Sequence, residues 1–302
     1  MTTATRLRGH TTLFEPGEGG HQGRVNNVLI TGASSGIGAA TALRLDDDGM
    51  RVFAAVEHEH DGITALQGAS ARMTRIVLDV TDSRSIDAAV AEIQAQAPDG
   101  LGAVINNAGV GFPGPLEVLS LDALRRQLEV NVVGQVAVSQ AMLPLLRRAG
   151  GRLVFVGSVG GLLASQFAGA YHASKFAIEA IADVWRQELE PDDVSVILIE
   201  PSAISTPIWE KAIDRLDELE SIGAPELPRY RERLRAFKES LHSADEHGKP
   251  PEDVADVIAK ALSEKHPDTR YVVGGAGKVA TALKPLVPDR LADKLAERTA
   301  KT

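Results

Sequence analysis

The chain of 302 residues contains no cysteine, which excludes disulfide bonds and thiol catalysis. It has no apolar run that approaches the roughly 18 residues a membrane span requires. The first two dozen residues also lack the apolar centre of a signal peptide. We therefore expect a cytoplasmic protein without an integral membrane segment.

The chain has no excess of basic residues either. Its formal net charge is −9, which argues against nucleic acid as a partner. No Pro/Gly/Ser-rich linker or internal repeat divides the sequence, and 44% apolar residues suffice for a full core. We expect a poorly ordered extension over residues 1–24, one catalytic domain over 25–275 and a helical tail over 276–302.

Short β-like runs alternate with longer helical patterns, and this alternation indicates crossover connections and a parallel sheet. The sequence predicts an α/β fold, with a Rossmann-type doubly wound sheet of about seven strands and helices on both faces. Ligands of such folds bind beyond the carboxyl ends of the strands. The expected strands are Val28 to Thr31, Val52 to Val56, Arg75 to Asp79, Ala103 to Asn106, Leu153 to Gly157, Ser195 to Ile199 and Tyr271 to Val273.

A glycine-rich turn follows the first strand directly and precedes a helical pattern. Glycines permit positive φ and a close approach of the backbone to a ligand, and the free N–H groups at a helix start bind a pyrophosphate. A glycine triplet can also be an ordinary loop, but this context favours a nucleotide site. The residues of the turn are Gly32, Ser34, Ser35, Gly36, Ile37 and Gly38.

Tyr171 and Lys175 lie four residues apart, on one face of an expected helix. A Lys charge near the Tyr hydroxyl would lower the pKa of the phenol, which is about 10 in model peptides. Such a phenol can give and take protons during reduction of a carbonyl or oxidation of an alcohol. The same spacing also occurs by chance in amphipathic helices.

These motifs occur together with several others in a fixed order, and the chain resembles a single-domain short-chain dehydrogenase/reductase over about residues 25–275. The end of the domain resembles the hydroxysteroid and retinol dehydrogenase subgroup. The matching segments are the glycine turn with its GxxxGxG spacing, Leu78 to Asp82, Asn106 to Gly109, Asn131 to Gly134, Ser158, the Tyr171/Lys175 pair, Pro201 to Thr206 and Arg270 to Gly274.

The resemblance implies an NAD(P)(H)-dependent oxidoreductase with a catalytic set of four residues. Ser158 would bind the substrate oxygen, and Tyr171 would be the acid/base. Lys175 would lower the pKa of Tyr171 and hold the nicotinamide ribose. Asn131 would bind a water that links Lys175 to solvent. From the residues alone, Ser158 could also be a small loop residue beside glycines.

The resemblance also implies further residues that bind the cofactor. Asp79 would accept a hydrogen bond from the adenine amine beside Val80, although it could instead be a turn or cap residue. The family usually has glycine where this chain has Ser202, so the loop that contacts the nicotinamide departs from the pattern. The remaining expected contacts are Asn107, Ala108, Gly109, Tyr171, Lys175, Pro201, Ile204 and Thr206.

The choice between NAD and NADP depends on the end of the second strand. Enzymes of this family that prefer NADP usually carry a basic residue at about Glu57 or at Ser35, and this chain has neither. The carboxylate of Glu57 would repel a 2′-phosphate and accept a hydrogen bond from a free 2′-hydroxyl. NAD is therefore the expected cofactor, although the usual NAD-selecting Asp would fall at the apolar Val56.

The expected substrate segments are mostly apolar and favour a neutral, lipophilic alcohol or ketone. These segments are Val110 to Leu116, Val159 to Ala170 and the stretch around Ile208 and Trp209, and residues 206–250 are expected to form a helical substrate lid. Two alternatives stay open: an NADP-dependent carbonyl reductase, and a dinucleotide sensor without turnover.

Three further expectations concern partners and metals. The helices of roughly Leu121 to Leu146 and Tyr171 to Leu189 resemble those at the family's dimer interface, so a homodimer or homotetramer is expected. The cluster from Glu57 to Asp61 is interpreted as a solvated loop, and no metal is expected. The basic run from Arg229 to Arg235 is interpreted as the solvated side of a lid helix rather than a patch for an acidic carrier.

Overall fold

A computed structural model describes residues 26–274 of the chain. The expected extension over 1–24 and the expected tail over 276–302 lie outside the described residues. The described part contains a seven-stranded sheet in the order β3-β2-β1-β4-β5-β6-β7, and all neighbouring strands are parallel. The strands are β1 Asn27–Ile30, β2 Arg51–Val56, β3 Met73–Val77, β4 Ala103–Asn106, β5 Arg152–Val156, β6 Ser195–Pro201 and β7 Arg270–Val273.

Helices form the crossovers between the parallel strands, except between β2 and β3, where residues 57–72 form turns. They are α1 Gly36–Asp47, α2 Ser83–Gln96, α3 Leu121–Leu128, α4 Gln135–Ala149, α5 Gly169–Glu188, α6 Ile208–Ile222, α7 Arg231–His247 and α8 Pro251–Ser263. A π-helical segment, Glu129–Gly134, joins α3 to α4. In residues 26–274, no helix is both long enough and apolar enough to span a membrane.

Two hydrophobic clusters lie on opposite faces of the sheet. Alternate residues along β1 point to the two sides, so Leu29 belongs to one cluster and Val28 and Ile30 to the other. Strands β4 and β5 are buried along their whole length. The continuous apolar runs in the sequence reflect this two-sided burial.

The seven expected strands are confirmed, and their ends agree to within about two residues. The largest difference that affects the site is at β3, which ends at Val77, so Asp79 lies in the following turn rather than on the strand. The stretch from Leu121 to Leu146 is not one helix, because the π-helical segment interrupts it.

Residues 206–250 are largely helical and form α6 and α7 with a short 3-10 turn, Leu227–Arg229, between them. These helices share a small third core. Its buried members are Phe167, Ala212, Leu216, Leu227, Leu234 and Leu241. The segment therefore packs as a layer of its own beside the carboxyl edge of the sheet.

Candidate active site

A cleft of about 620 Å³ lies at the carboxyl edge of the sheet. The strand order reverses between β1 and β4, where the loops that follow the two strands diverge. The cleft is lined by nearly all of the expected site residues: Gly32, Ser34, Ser35, Gly36, Ile37, Glu57, Asp79, Val80, Asn107, Ala108, Gly109, Asn131, Ser158, Tyr171, Lys175, Pro201, Ile204 and Thr206.

The glycine turn takes the backbone shape that its sequence predicts. Gly32 and Gly36 have φ of 67° and 53°, in the left-handed region that favours glycine. Helix α1 starts immediately after the turn, and the Ser35 side chain makes no capping hydrogen bond to it. The first turn of α1, at Gly36 and Ile37, therefore lines the cleft without a side-chain cap on its N–H groups.

Gly38 has a different role from the expected one, because it does not line the cleft. A Cβ atom at Gly38 would lie 2.1 Å from the Gly32 carbonyl oxygen and 2.6 Å from Asn107 Nδ2. Gly38 therefore lets α1 pack against the backbone of the glycine turn, on the side of the turn that faces away from the cleft.

The turns after β1 and β4 are tied together by hydrogen bonds. Asn107 Nδ2 donates to the carbonyl oxygens of Thr31 and Gly32 at 2.9 and 3.1 Å. The Thr31 hydroxyl accepts from the N–H groups of Asn107 and Ala108 at 3.0 Å each. These bonds place Asn107, Ala108 and Gly109 directly beside the glycine turn.

At the far end of the cleft, the structure adds a residue that the sequence analysis missed. Arg126 of α3 lies beside Glu57 with an N···O distance of 3.6 Å, and it donates to the Thr81 hydroxyl at 2.9 Å. A basic side chain thus stands where none was expected from residues 35 and 57. Arg126 is 69 positions from Glu57, so their proximity depends on the tertiary fold.

Asp79 both shapes a turn and faces the cleft. Its Oδ1 accepts hydrogen bonds from the N–H and hydroxyl of Thr81, both at 2.8 Å. Burial raises the pKa of Asp79, but these bonds and the nearby Arg126 charge outweigh burial, so the pKa lies below its usual value. Asp79 is therefore an ionised acceptor at the cleft edge.

The expected catalytic residues meet at the centre of the cleft. Lys175 Nζ is buried, donates to the Val156 carbonyl oxygen at 2.8 Å and lies 5.7 Å from the centroid of the Tyr171 ring. Ser158 accepts a hydrogen bond from the Gly160 N–H at 3.0 Å, and its hydroxyl also bonds Tyr171. The structure thus brings Ser158, Tyr171 and Lys175 together.

The pKa of Tyr171 differs from the sequence-based expectation. Burial raises the pKa of the phenol, and the hydrogen bond with Ser158 only partly offsets the effect of burial. Lys175 does not lower it here, because the ammonium lies over the ring and bonds Val156 instead of the hydroxyl. At neutral pH Tyr171 is therefore a protonated phenol.

Lys175 is itself perturbed by its surroundings. Burial lowers the pKa of its ammonium to about 8, and the negative charge of Glu179 acts in the opposite direction. Its charge is therefore retained at neutral pH and lost in the mildly alkaline range.

Asn131 is fully buried, and its side chain is occupied by protein groups. Oδ1 accepts from the Val110 N–H at 2.8 Å, while Nδ2 donates to the Val110 carbonyl and to Ser174 Oγ at 3.0 and 3.1 Å. The side chain therefore supports the loop after β4.

Two further buried amides, neither of them predicted from the sequence, reach the same loop at four-residue spacing. Gln127 accepts from the Phe112 N–H at 2.8 Å and donates to the Val110 carbonyl at 2.6 Å. Gln135 donates to the Ala108 carbonyl at 3.0 Å. The available signal was three amides at four-residue spacing, at 127, 131 and 135, in a helical stretch whose other residues are apolar except Glu129.

The loop after β6 crosses the glycine turn. The Thr206 Cβ would lie 3.1 Å from a Cβ built at Gly36, and the Ser158 hydroxyl donates to the Pro201 carbonyl at 3.4 Å. Ser202, where the family usually has glycine, packs tightly against Gly274, since a Cβ there would lie 2.0 Å from Ser202 Oγ. The extra hydroxymethyl group is thus accommodated by a glycine at the end of β7.

The outer part of the cleft is mainly apolar, as expected, but α6 adds charge. Arg215 donates to the Gly111 carbonyl and lies 4.0 Å from the centroid of the Phe112 ring. Burial lowers the pKa of this guanidinium, and Glu218 acts in the opposite direction. Lys211, one turn earlier on α6, lies exposed at the rim. Both residues were absent from the sequence-based site.

Apart from Glu57, the residues of the two other candidate clusters do not line the cleft. In the segment from Glu57 to Asp61, the His58 N–H donates to an Asp61 carboxylate oxygen at 3.0 Å. Across residues 26–274, no group of three His, Asp or Glu side chains is placed to hold a metal ion. In the basic run, Arg235 pairs with Glu239 at 3.3 Å, as expected for the solvated side of a helix.

Comparisons with known proteins agree with this geometry. The family model described as short chain dehydrogenase matches residues 26–217. Curated relatives include an NADPH-dependent 3-dehydrocapnine reductase of Ornithobacterium rhinotracheale, 34% identical over 89% of this chain and 95% of that protein. Mouse retinol dehydrogenase 16 is 34% identical, with 89% and 86% covered. Human 17-beta-hydroxysteroid dehydrogenase type 1 is 37% identical, with 81% and 76% covered.

A solved structure shows the same fold. A short-chain dehydrogenase from Streptomyces avermitilis has a TM-score of 0.73 and 28% identity, covering 90% of this chain and 94% of that chain. The parallel sheet order and the matched family model confirm the resemblance found in the sequence. The chain belongs to the short-chain dehydrogenase/reductase family and is an NAD(P)-dependent oxidoreductase of its hydroxysteroid and retinol dehydrogenase-like subgroup.

Proposed function

We propose that this chain interconverts a secondary alcohol and a carbonyl on a neutral, lipophilic substrate, with Tyr171 as the acid/base. The single observation that carries the proposal is the convergence of Ser158, Tyr171 and Lys175 in one cleft beside the glycine turn. A carbonyl oxygen within reach of both hydroxyls would receive a proton from Tyr171 as negative charge develops on it.

The residues around the cleft fit a nicotinamide dinucleotide. The backbone at Gly32 and Gly36 and the uncapped start of α1 suit the pyrophosphate, and Asp79 suits an adenine amine. When bound, the dinucleotide supplies or receives a hydride. Lys175 would hold the nicotinamide ribose, while Pro201, Ile204 and Thr206 would contact the carboxamide end.

Asn131 would bind the water that links Lys175 to solvent through its main-chain carbonyl and not through its side chain. Its side-chain amide is fully used by Val110 and Ser174, so a water near Lys175 would have to be held by another polar atom. The carbonyl of Asn131 lies within the π-helical segment, where the regular hydrogen-bond pattern of the helix changes. We propose this carbonyl as the acceptor.

The proposed substrate preference follows from the outer cleft. Its lining includes Val110, Phe112, Ile208 and Trp209, and the charge of Arg215 is engaged by Gly111 and Phe112. An apolar ketone would bury its surface there without leaving a charge unpaired. Helices α6 and α7 would close over it as the substrate lid.

The experiment that tests this function is turnover of a panel of secondary alcohols and ketones, followed by cofactor absorbance. The enzyme is expected to turn over at least one apolar ketone. Tight dinucleotide binding without turnover of any member would favour the alternative of a dinucleotide sensor. Preferential reduction with NADPH would favour the second alternative, an NADP-dependent carbonyl reductase.

We also propose that NAD is preferred over NADP, because Glu57 places a carboxylate at the adenosine end of the cleft. Among the described residues that line this end of the cleft, Arg126 is the basic side chain that would attract a 2′-phosphate, and Glu57 pairs with it. Glu57→Gln should remove the repulsion and release Arg126. We expect the ratio of NADP(H) to NAD(H) affinity to rise by about 10-fold, measured by paired titrations.

The matched control is Glu59→Gln, an exposed carboxylate two residues away that does not line the cleft. It should leave the affinity ratio unchanged. Adding Arg126→Ala to Glu57→Gln should reverse the gain. Tighter binding of NADP(H) than NAD(H) by the unmodified protein would show that the preference is wrong.

We propose that two copies pair through an apolar face on α3, the π-helical segment and α5. Leu121, Val133 and Val184 are 64%, 50% and 49% exposed on these elements. Val184→Glu should shift the mass in solution, measured by light scattering, from that of a dimer or tetramer toward that of a monomer. Ile222→Glu, at the end of α6 and 75% exposed, should not change it. A monomeric unmodified protein would exclude the pairing.

A further inference from the structure

A cluster of charged side chains lies between α5, which carries Tyr171 and Lys175, and the strands β6 and β7. Arg270 of β7 contacts Glu179 and Asp183 of α5 and Glu200 of β6, with N···O distances of 2.9 Å to Asp183 and 3.0 Å to Glu200. Glu179 and Glu200 are buried, whereas Asp183 lies at the exposed edge. The cluster connects α5 with β6 and β7, and Arg270 is the first residue of β7.

The charges of the buried part do not balance when all groups are ionised. Two buried carboxylates, Glu179 and Glu200, share one guanidinium, and Glu179 Oε1 has no hydrogen-bond donor. A buried carboxylate without such a donor is costly unless it takes up a proton. Burial, with the nearby charge of Glu200, raises the pKa of Glu179 to about 7, although Arg270 acts in the opposite direction.

Glu179 is also connected to the catalytic groups. It lies one helical turn after Lys175, which lies one turn after Tyr171, so the three side chains share a face of α5. Gly161 packs against both the Glu179 side chain and the Lys175 carbonyl, at 3.0 Å from a built Cβ in each case. Glu200 directly precedes Pro201, whose carbonyl accepts from Ser158.

We propose that Glu179 is a positioning residue that acts through Lys175 by keeping its ammonium charged, with Arg270 and Glu200 setting the charge of the Glu179 carboxylate. Glu179 gains its negative charge as pH rises past neutrality, just before Lys175 loses its proton. The new negative charge extends the range in which the ammonium persists. This inference rests on the proposed role of Lys175.

The charged groups that face Glu179 come from each element packed against it. They are Lys175 and Asp183 on α5, Glu200 on β6 and Arg270 on β7, while the turn Val159–Gly161 adds no titratable side chain. Asp183 pairs with Arg186 as well as Arg270, so two arginines at the surface compensate its negative charge. Asp183 is thus a carboxylate on the same helix and the same arginine, but without a link to Lys175.

The test is a pH titration of the protein labelled with ¹³C at the lysine ε-carbons, in which Lys175→Arg identifies the Lys175 resonance. The main step of that resonance is expected near pH 8. Glu179→Gln should lower its midpoint by about one pH unit. In Glu179→Asp, which keeps a carboxylate, the midpoint of the Lys175 resonance should lie closer to that of the unmodified protein than to that of Glu179→Gln. Asp183→Asn should leave this midpoint unchanged.

Glu200→Gln provides a second variant in case Glu179→Gln does not fold. A minor step near pH 7 in the Lys175 resonance should report ionisation of Glu179. Glu200→Gln should move this minor step to lower pH, because the neighbouring negative charge is gone. An unchanged midpoint in folded Glu179→Gln, or an unmoved minor step in Glu200→Gln, would overturn the proposal.

These readings are independent of turnover. If the substrate panel shows no activity but the Lys175 midpoint falls in Glu179→Gln, the proposed function fails and the coupling stands. If turnover is observed and the midpoint does not move, the coupling alone is wrong. In an active enzyme, Glu179→Gln should also move the alkaline loss of cofactor affinity to lower pH.

Discussion

Tyr171→Phe is expected to lower kcat/KM for carbonyl reduction by about 1000-fold, because a positioned proton donor contributes on the order of 10²–10⁴ to rate. The substitution removes the hydroxyl but keeps the ring that packs beside Lys175. Cofactor affinity should therefore change less than about threefold. Initial rates with the best substrate of the panel, together with a cofactor titration, measure both quantities.

Tyr271→Phe is the matched control, since it makes the same chemical change at a tyrosine on β7 that bonds Glu264 and Asp268 outside the cleft. Its kcat/KM should match that of the unmodified enzyme. Ser158 could not replace the missing phenol, because its own hydroxyl has no charged partner to lower its pKa among the contacts described above. Retention of activity within tenfold in Tyr171→Phe would remove Tyr171 from the chemistry.

Gly38→Ala is expected to weaken dinucleotide binding by about 100-fold and to destabilise the domain by about 2–3 kcal/mol. The new methyl group would lie 2.1 Å from the Gly32 carbonyl oxygen, which is backbone and cannot rotate away. The start of α1 must then move away from the turn, and its N–H groups would no longer point at the pyrophosphate. Calorimetric titration and thermal unfolding measure the two effects.

Gly49→Ala, just beyond the other end of α1, is the control variant. It distinguishes a general loss of stability from a change in the shape of the glycine turn. Gly49 has φ of 85° and nothing within 4 Å of a built Cβ. The change should cost about 1 kcal/mol through backbone strain but leave dinucleotide affinity intact. Equal losses of affinity in both variants would show that α1 stability, and not the shape of the turn, controls binding.

The fold was predictable because its signals are local. Runs such as Val52 to Val56 and Leu153 to Gly157 are apolar at every position, as expected for strands that are buried on both faces. The glycine turn was predictable for the same reason, since the positive φ at Gly32 and Gly36 restricts those positions to few residue types. Whether a segment forms a strand or a helix was predictable from its local pattern. The exact ends of the strands were not, because they depend on the turns that follow them.

The features missed in the sequence depend on tertiary contacts. Arg126 meets Glu57 only because the segments that follow β4 and β2 come together at one edge of the sheet. Arg270, at the start of β7, meets Glu179 of α5 across 91 positions of the sequence. The pKa direction of Tyr171 could not be read from its spacing to Lys175, since burial and the Val156 carbonyl determine it. The π-helical segment shifts the register between α3 and α4, which no periodicity in that stretch indicated.

The most direct test of the proposed chemistry is isotope transfer. The protein is incubated with an apolar ketone and reduced cofactor carrying two deuterium atoms at the reactive ring carbon, so that transfer from either face of the ring delivers deuterium, and the alcohol is analysed by mass spectrometry. One deuterium at the carbinol carbon, formed by the unmodified protein and reduced about 1000-fold in rate by Tyr171→Phe, is the predicted result. Alcohol without deuterium, or equal labelling rates in the two proteins, would contradict it.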